Sequence, residues 1–426
     1  MPATEYQGSS VHLAFLSRPI LSIRRNQIIS MEGNSDQDDS ELFQKHVSER
    51  FLDLSSSPTS TTTTTTTTSS DAAAATSTTT NDADNFLSIA WLRKLLDVFL
   101  CCEAEFKAVI FLGRDASQIS KPPLDRLTPE LLDRTVKALD ICNAITHGIE
   151  MIRNWQKLAE IALLALKQSP LGEGQVRRAK KALNSLLSSM TIDDKDAVSS
   201  RTADRAWSFG RRGSGAAAAA AAAVAAAKER TVGPPRLFTS WSVPKNWSAS
   251  KQIQAMCSNL MMPRGTDPTG MAMPVFIMST VLVFVTWTLV ATIPCQDRSG
   301  LLSHFALPRQ LSWAGPIIGL QERIAEEWKK KEKKKSTGLL DEMQRLEKCG
   351  QSLIEFADSI QFPAEEEKLE EISVQVTELA EMCRKMEEGL LPLQRQLREM
   401  FHRIVRSRTE ILDVLEQNEK YYSPVL

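Results

Sequence analysis

Three observations predict an all-α protein, an elongated bundle of long amphipathic antiparallel helices. From Leu369, apolar side chains at Ile372, Val376, Leu379, Cys383, Met386, Leu390, Leu393, Leu397, Met400 and Ile404 follow in alternating steps of three and four. That spacing is the one coiled-coil-like packing demands. Ile89, Leu92, Leu96, Phe99, Phe106 and Ile110 form a second stripe, and Leu339, Met343, Leu346, Leu353, Ala357 and Ile360 a third. Between them lies an uncharged apolar run, Met271 to Ile293, with no charged residue from 268 to 296.

The elements follow in order. Residues 1–84 form an N-terminal segment with one short helix, because Leu42/Phe43, Val47, Phe51 and Leu54 recur at helical spacing. Behind that helix, Thr61–Thr68 is uninterrupted and Ala72–Ala75 follows. Such a tract has almost nothing to bury and is expected to be disordered. Residues 85–190 form an N-terminal helical region. Its second helix is expected to start at Thr128-Pro129-Glu130, with a hydroxyl cap, proline at the first position and acid in the first turn. Leu127 and Leu132 are placed as a hydrophobic staple across that cap. A further helix over 173–190 turns Val176, Ala179, Leu183, Leu186 and Leu187 inward.

Residues 191–250 form a variable linker holding Ala216–Ala227, interrupted only by Val224. Alanine favours helix, but an all-alanine surface has no amphipathic face to pack. Residues 300–420 form the C-terminal coiled-coil-like region. Gly389 and Pro392 fall inside its heptads, so a kink or a tight turn between two helices is expected there.

The run at 271–293 has two readings. About twenty apolar residues suffice to cross a bilayer, and Met271, Val275, Phe276, Leu282, Phe284, Trp287, Leu289 and Ile293 would then face lipid. Ser279, Thr280, Thr286, Thr288 and Thr292 equally suit the central helix of a bundle, apolar all round because it is surrounded. The first reading makes a single-pass membrane protein with its bulk in the cytoplasm; the second makes a cytosolic one. Flanking charge ties at Lys251 and Arg264 against Arg298 and Arg309, so it assigns no orientation.

Composition excludes several function classes. Lys+Arg 51 against Asp+Glu 52 leaves a net charge of −1 over 426 residues, so bulk charge gives no reason to expect nucleic acid. The seven cysteines are never spaced CxxC, which fits reduced thiols rather than disulfides or a zinc site. Cys101-Cys102 has two readings, an acylation site or, beside Phe99 and Phe106, part of the core, and the core is the one expected. The N-terminus lacks a secretory apolar stretch, and residue 2 is Pro where N-myristoylation needs Gly.

No catalytic constellation is present. His12, His46, His147, His304 and His402 fit no HExxH or metal-ligand spacing and are expected at caps or on the surface. Phosphate-loop, dinucleotide and nucleophile-elbow motifs are also missing. The sequence therefore predicts no catalytic residue, no metal and no cofactor.

Two basic patches are candidates for binding. Arg395, Arg398, His402 and Arg406 lie three and four apart, on the face away from Leu393, Leu397, Met400 and Ile404. They would form a ridge for an acidic partner helix or anionic lipid headgroups. The bland alternative is a solvated face balanced by Glu399 and Glu410. The run Lys329–Lys335 reads as a nuclear signal or as lipid-binding charge; with a glutamate inside it, the bland alternative, a solvated helix end, is the one expected. Asn246-Trp247-Ser248 matches a glycosylation sequon, meaningful only in a lumen.

Longer strings carry a family resemblance. They are MPATEYQGSS at the N-terminus, Leu21-Ser-Ile-Arg-Arg25, QKHVSERFLDLS at 44–55, Trp207-Ser-Phe-Gly210, and SWSVPKNWSASKQIQAMCSNL at 240–260. IPCQDR at 293–298 and FHRIVRSRTEILD at 401–413 complete the set. The chain resembles the plant BYPASS-related family, within it the ROH branch, over everything except the Thr and Ala tracts. The resemblance implies an all-helical protein without known catalysis, linked to exocyst-dependent secretion through an exocyst subunit as partner. It also implies two alternatives: a regulator restraining a small mobile developmental signal, or a membrane-tethered scaffold without exocyst contact. Trp241 and Trp247 are expected to act as a structural clamp or as membrane-interface aromatics before the apolar helix. Oligomeric state stays open, since heptads are satisfied equally within or between chains.

Overall fold

A computed structural model describes residues 35–56, 86–111, 119, 121–191, 247–263, 270–295, 301, 305–332, 338–363 and 366–422. The Thr, Ala and linker tracts, Trp241, Asn246, His12 and His304 lie outside them. Nine α-helices are described: α1 Ser35–Ser55, α2 Ile89–Phe111, α3 Leu124–Leu166, α4 Glu173–Thr191, α5 Ala249–Ser258, α6 Ala272–Thr292, α7 Gly315–Glu332, α8 Asp341–Ser359 and α9 Glu366–Tyr422. No strand is present among the described residues.

Two long helices organise the rest. At 1.5 Å per residue, the 43 residues of α3 reach about 64 Å and the 57 of α9 about 85 Å. They run antiparallel, because Arg408 donates to the Leu132 carbonyl while Gln156, far along α3, donates to the Cys383 carbonyl. At one end α2 and α6 pack between them, giving a four-helix bundle in which α6 and α9 stand diagonally. At the other end α4 and α8 complete a second bundle on the same two helices. Lys180 pairs with Asp358 there, and Gly350 lies under Leu183 and Leu187, so α4 and α8 are antiparallel.

The two bundles meet at a waist. The Gly148 position is pressed against the Pro294 carbonyl, and Gly389 sits under Ile89. A Cβ would come within 2.0 Å of the former and 2.8 Å of Ile89 Cγ2. Backbone bonds from Leu339 N–H to the Ala291 carbonyl and from Asp341 N–H to the Leu87 carbonyl, both 3.2 Å, tie α6, α8 and the start of α2 together. Glycine is needed at Gly148 and Gly389 because the waist admits no side chain.

The apolar run is covered by protein on every side. Helix α6 contacts α3, α2, α5, α1 and α7. Met271, Val275, Phe276, Leu282, Phe284, Trp287, Leu289 and Ile293 are each 4% exposed or less. Edge-on rings fix its surroundings: Phe284 on Phe51 at 5.6 Å, Phe276 on Trp313 at 5.9 Å and Trp287 on Phe305 at 6.4 Å. Thr280, Thr286, Thr288 and Thr292 donate to carbonyls four residues back at 2.7–2.9 Å. No threonine hydroxyl on α6 is left seeking a partner, so the helix presents an apolar exterior to its neighbours. By length and composition it could also cross a membrane.

Sequence expectations are met along most of the chain. Every member of the α9 heptad row from Ile372 to Ile404 is buried, Leu369 half so, and the row packs on α2, α3 and α8. One expectation loses an alternative, the turn at Gly389 and Pro392, and another, the start of α3, fails. Helix α9 continues through Gly389 and Pro392, so there is no turn between two helices; Pro392 removes only the bond to the Glu388 carbonyl, and packing on both sides of the waist holds the helix together. Helix α3 begins at Leu124, a turn before Thr128. Thr128 is 4% exposed and Leu127 and Leu132 are both core, because burying Leu124 and Leu127 outweighs the local cap signal.

Candidate partner-binding surface

Helix α9 is anchored by polar contacts on one flank. Arg403 reaches Glu103 at 3.3 Å, and the Ser407 hydroxyl donates to the same carboxylate, which is 3% exposed. Lys107 pairs with Glu410 at 2.5 Å, Gln396 donates to Asp97 at 2.7 Å, and Arg408 to the Leu132 carbonyl at 2.6 Å. On the far side of α2, Glu105 binds both His46 (2.5 Å) and Arg50 (2.6 Å) of α1. Glu103 and Glu105 thus lock α2 to α9 and α1, and no local sequence signal marks them.

The opposite face of α9 is open. Arg395, Arg398, His402 and Arg406 are all exposed and lie along about 16 Å of helix. The His402 ring stands edge-on to Phe401 at 5.9 Å. The two acids expected to balance this ridge are committed elsewhere: Glu399 to Arg403 at 2.8 Å, and Glu410 to Lys107. Arg395 and Arg406 make no ion pair among the described residues. The ridge is therefore an exposed concentration of positive charge.

The N-terminal half of α9 carries the opposite sign. Glu366, Glu367, Glu370, Glu371, Glu378, Glu387 and Glu388 are exposed. Beside them an open groove of about 510 Å³ separates α9 from α8, lined by Asp341, Glu342, Arg345, Val374, Glu378 and Met382 among others. Val374 is 69% exposed. Glu342 turns inward from the groove and accepts the Ile89 N–H at 2.9 Å, capping α2 across 253 residues of sequence. Burial pushes its carboxyl up to about 7.

No group of three or more metal-ligating side chains occurs among the described residues. All seven cysteines are free. Burial pushes the thiols of Cys102, Cys142, Cys257 and Cys383 up to about 12 and that of Cys349 to about 11, which makes them unreactive. Cys102 is core as expected, whereas Cys101 is exposed. His46 is no surface residue, being held by Glu105; His147 is exposed, as expected. Trp247 is buried at 8% exposure.

Comparison with known proteins places this architecture. The model of the family described as Protein ROH1-like matches residues 1–415. The chain belongs to the ROH1-like family. It is 51% identical to Protein ROH1A of Arabidopsis thaliana over the whole of both chains. It is 43% identical to Protein ROH1D of the same plant, over 97% of this chain and 98% of the relative. These names belong to the ROH branch of the BYPASS-related family and carry no catalytic term. No solved structure matches.

Proposed function

We propose that this ROH1-like protein is a non-catalytic adaptor whose basic half of α9 docks on an elongated, acidic helical surface of an exocyst subunit in secretion. The observation that carries the reading is the ridge: four exposed basic residues whose neighbouring acids are paired with other cations, Glu399 with Arg403 on the same helix and Glu410 with Lys107 of α2. Rim charges of this kind steer association and select the partner, while burial of neighbouring apolar atoms holds it. Leu391, 41% exposed at the start of the ridge, supplies one such anchor. The protein works from the cytosol, with α6 as bundle core rather than as a span, since exposing it to lipid would strip five helices from its surface.

Binding of purified exocyst subunits to the full chain, at low and at high salt, tests the adaptor. Arg395→Glu, Arg398→Glu and Arg406→Glu together should weaken low-salt binding more than about a hundredfold, equivalent to roughly 3 kcal/mol. Unchanged affinity would sink the ridge as the contact. Alkaline carbonate extraction tests the location: the full chain should be released to the supernatant, and retention in the pellet would make α6 a span.

A further inference from the structure

The groove between α8 and α9 joins acid to exposed apolar surface. Glu370, Val374, Glu378 and Glu381 follow at steps of four, four and three, on one side of α9. Val374 and Met382 line the groove, and Val374 is 69% exposed between two glutamates. Glu370 and Glu378 form no ion pair among the described residues. The cations in the lining are already engaged, Arg345 by Asp341 at 3.0 Å and Lys385 by Glu381 at 3.8 Å. From residue 366 to residue 388, α9 carries eight acids against three bases. A basic segment bearing apolar side chains matches this surface in both respects.

A segment of that kind follows where α4 ends. Lys180 pairs with Asp358, and Leu183 and Leu187 lie over Gly350, so α4 ends at residue 191 level with the start of α8. Helix α8 turns back into α9 over residues 360–365, and Cys349 meets the Gln375 carbonyl, which sets the start of α8 beside Glu381. Ten residues past 191, residues 201–212 read RTADRAWSFGRR: four arginines, one acid and two aromatic rings. Ten residues reach up to about 35 Å, and the two helix spacings from α4 to α9 amount to about 20 Å. In an extended chain alternate side chains share a face, so Arg205, Trp207, Phe209 and Arg211 project together over about 20 Å. Glu370 and Glu381 stand about 17 Å apart along α9.

We propose that residues 201–212 dock in this groove of their own chain. Arg205 meets Glu378 and Glu381, Arg211 meets Glu370, and Trp207 and Phe209 cover Val374 and Met382. The rings shield the arginine–carboxylate pairs from water, which strengthens them. The tether holds the segment at an effective concentration on the order of mM, so a weak contact suffices. The lysine run 329–335 also lies close to α8 in sequence, but it has no apolar side chain to offer Val374. Docking offsets the acidic half of α9 and leaves the basic ridge at 395–406 as its exposed charged face. The inference does not depend on what that ridge binds.

Trypsin digestion of the folded full chain tests it, because the segment's own arginines are cleavage sites. Each site's rate is taken relative to the same site in the urea-unfolded chain. Cleavage at Arg205, Arg211 and Arg212 should be more than about tenfold slower than at Lys228 and Arg230 of the same linker, since a docked segment is cut only while released. Glu370→Gln with Glu378→Gln, or Trp207→Ala with Phe209→Ala, should each bring the two sets of rates within about twofold. All four residues lie on the surface or in the linker, so neither pair of changes disturbs the bundle core. Glu367→Gln with Glu387→Gln, exposed acids outside the groove, should leave the protection as it is. Equal cleavage along the wild-type linker would overturn the proposal. So would protection that survives the groove variants, or that is lost as fully in the control pair. Protection that grows with protein concentration would place the segment in the groove of a second copy, and would overturn docking within one chain.

Discussion

Replacing Glu342 by glutamine should remove a pH dependence from folding. Its carboxyl is 8% exposed and accepts the Ile89 N–H at 2.9 Å. Burial is the largest influence on it and raises its pKa from 4.5 to about 7, against the opposing pull of backbone N–H groups and Arg345. In the unfolded chain the group has lost its proton by about pH 5, whereas in the folded chain it keeps it to about pH 7. Over that window the native state binds the extra proton, so stability falls as pH rises and levels off above the folded value. A shift of that size is worth about 3 kcal/mol at roughly 1.4 kcal/mol per pKa unit, most of it lost between about pH 5 and about pH 8. Glu342→Gln keeps an oxygen for the Ile89 N–H and removes the titration. Urea unfolding across that range should show the wild type losing roughly 2 to 3 kcal/mol relative to the variant as pH rises. Parallel curves for the two proteins would refute the burial argument.

Three further substitutions probe the core. Gly148→Ala drives a methyl to 2.0 Å from the Pro294 carbonyl, where backbone must move, and should cost more than about 3 kcal/mol in urea unfolding. Gly350→Ala, whose Cβ would meet nothing closer than 3.6 Å, should instead gain up to about 1 kcal/mol from helix propensity. Thr288→Val removes a hydroxyl that bonds only its own helix at 2.9 Å, and thermal unfolding should change by less than about 1 kcal/mol. A larger loss would mean that the hydroxyl serves a partner outside α6.

Legibility in the sequence followed the range of the interaction. Heptad spacing foretold the buried row from Ile372 to Ile404, since the face a helix buries depends on residues three and four apart. The ridge at Arg395–Arg406 was legible as the reverse of that face. Its net charge was not, because Glu399 and Glu410 are claimed by Arg403 and by Lys107, the latter on another helix. Glu103 and Glu342 were invisible as structural groups: their partners lie 304 and 253 residues away. The start of α3 was misplaced for a related reason, a local cap at Thr128 giving way to the tertiary burial of Leu124 and Leu127.

By itself, the sequence determined the all-helical class, most of the helices, the apolar run and the absence of familiar catalytic motifs, because each is written in composition or short-range periodicity. Tertiary structure alone decided that α3 and α9 carry two bundles joined at a glycine waist and that α6 is covered by five helices. It also decided which charges on α9 are held by neighbouring helices and which stay exposed. Those outcomes depend on which faces meet across hundreds of residues, and period and propensity are the same whether an apolar helix meets protein or lipid.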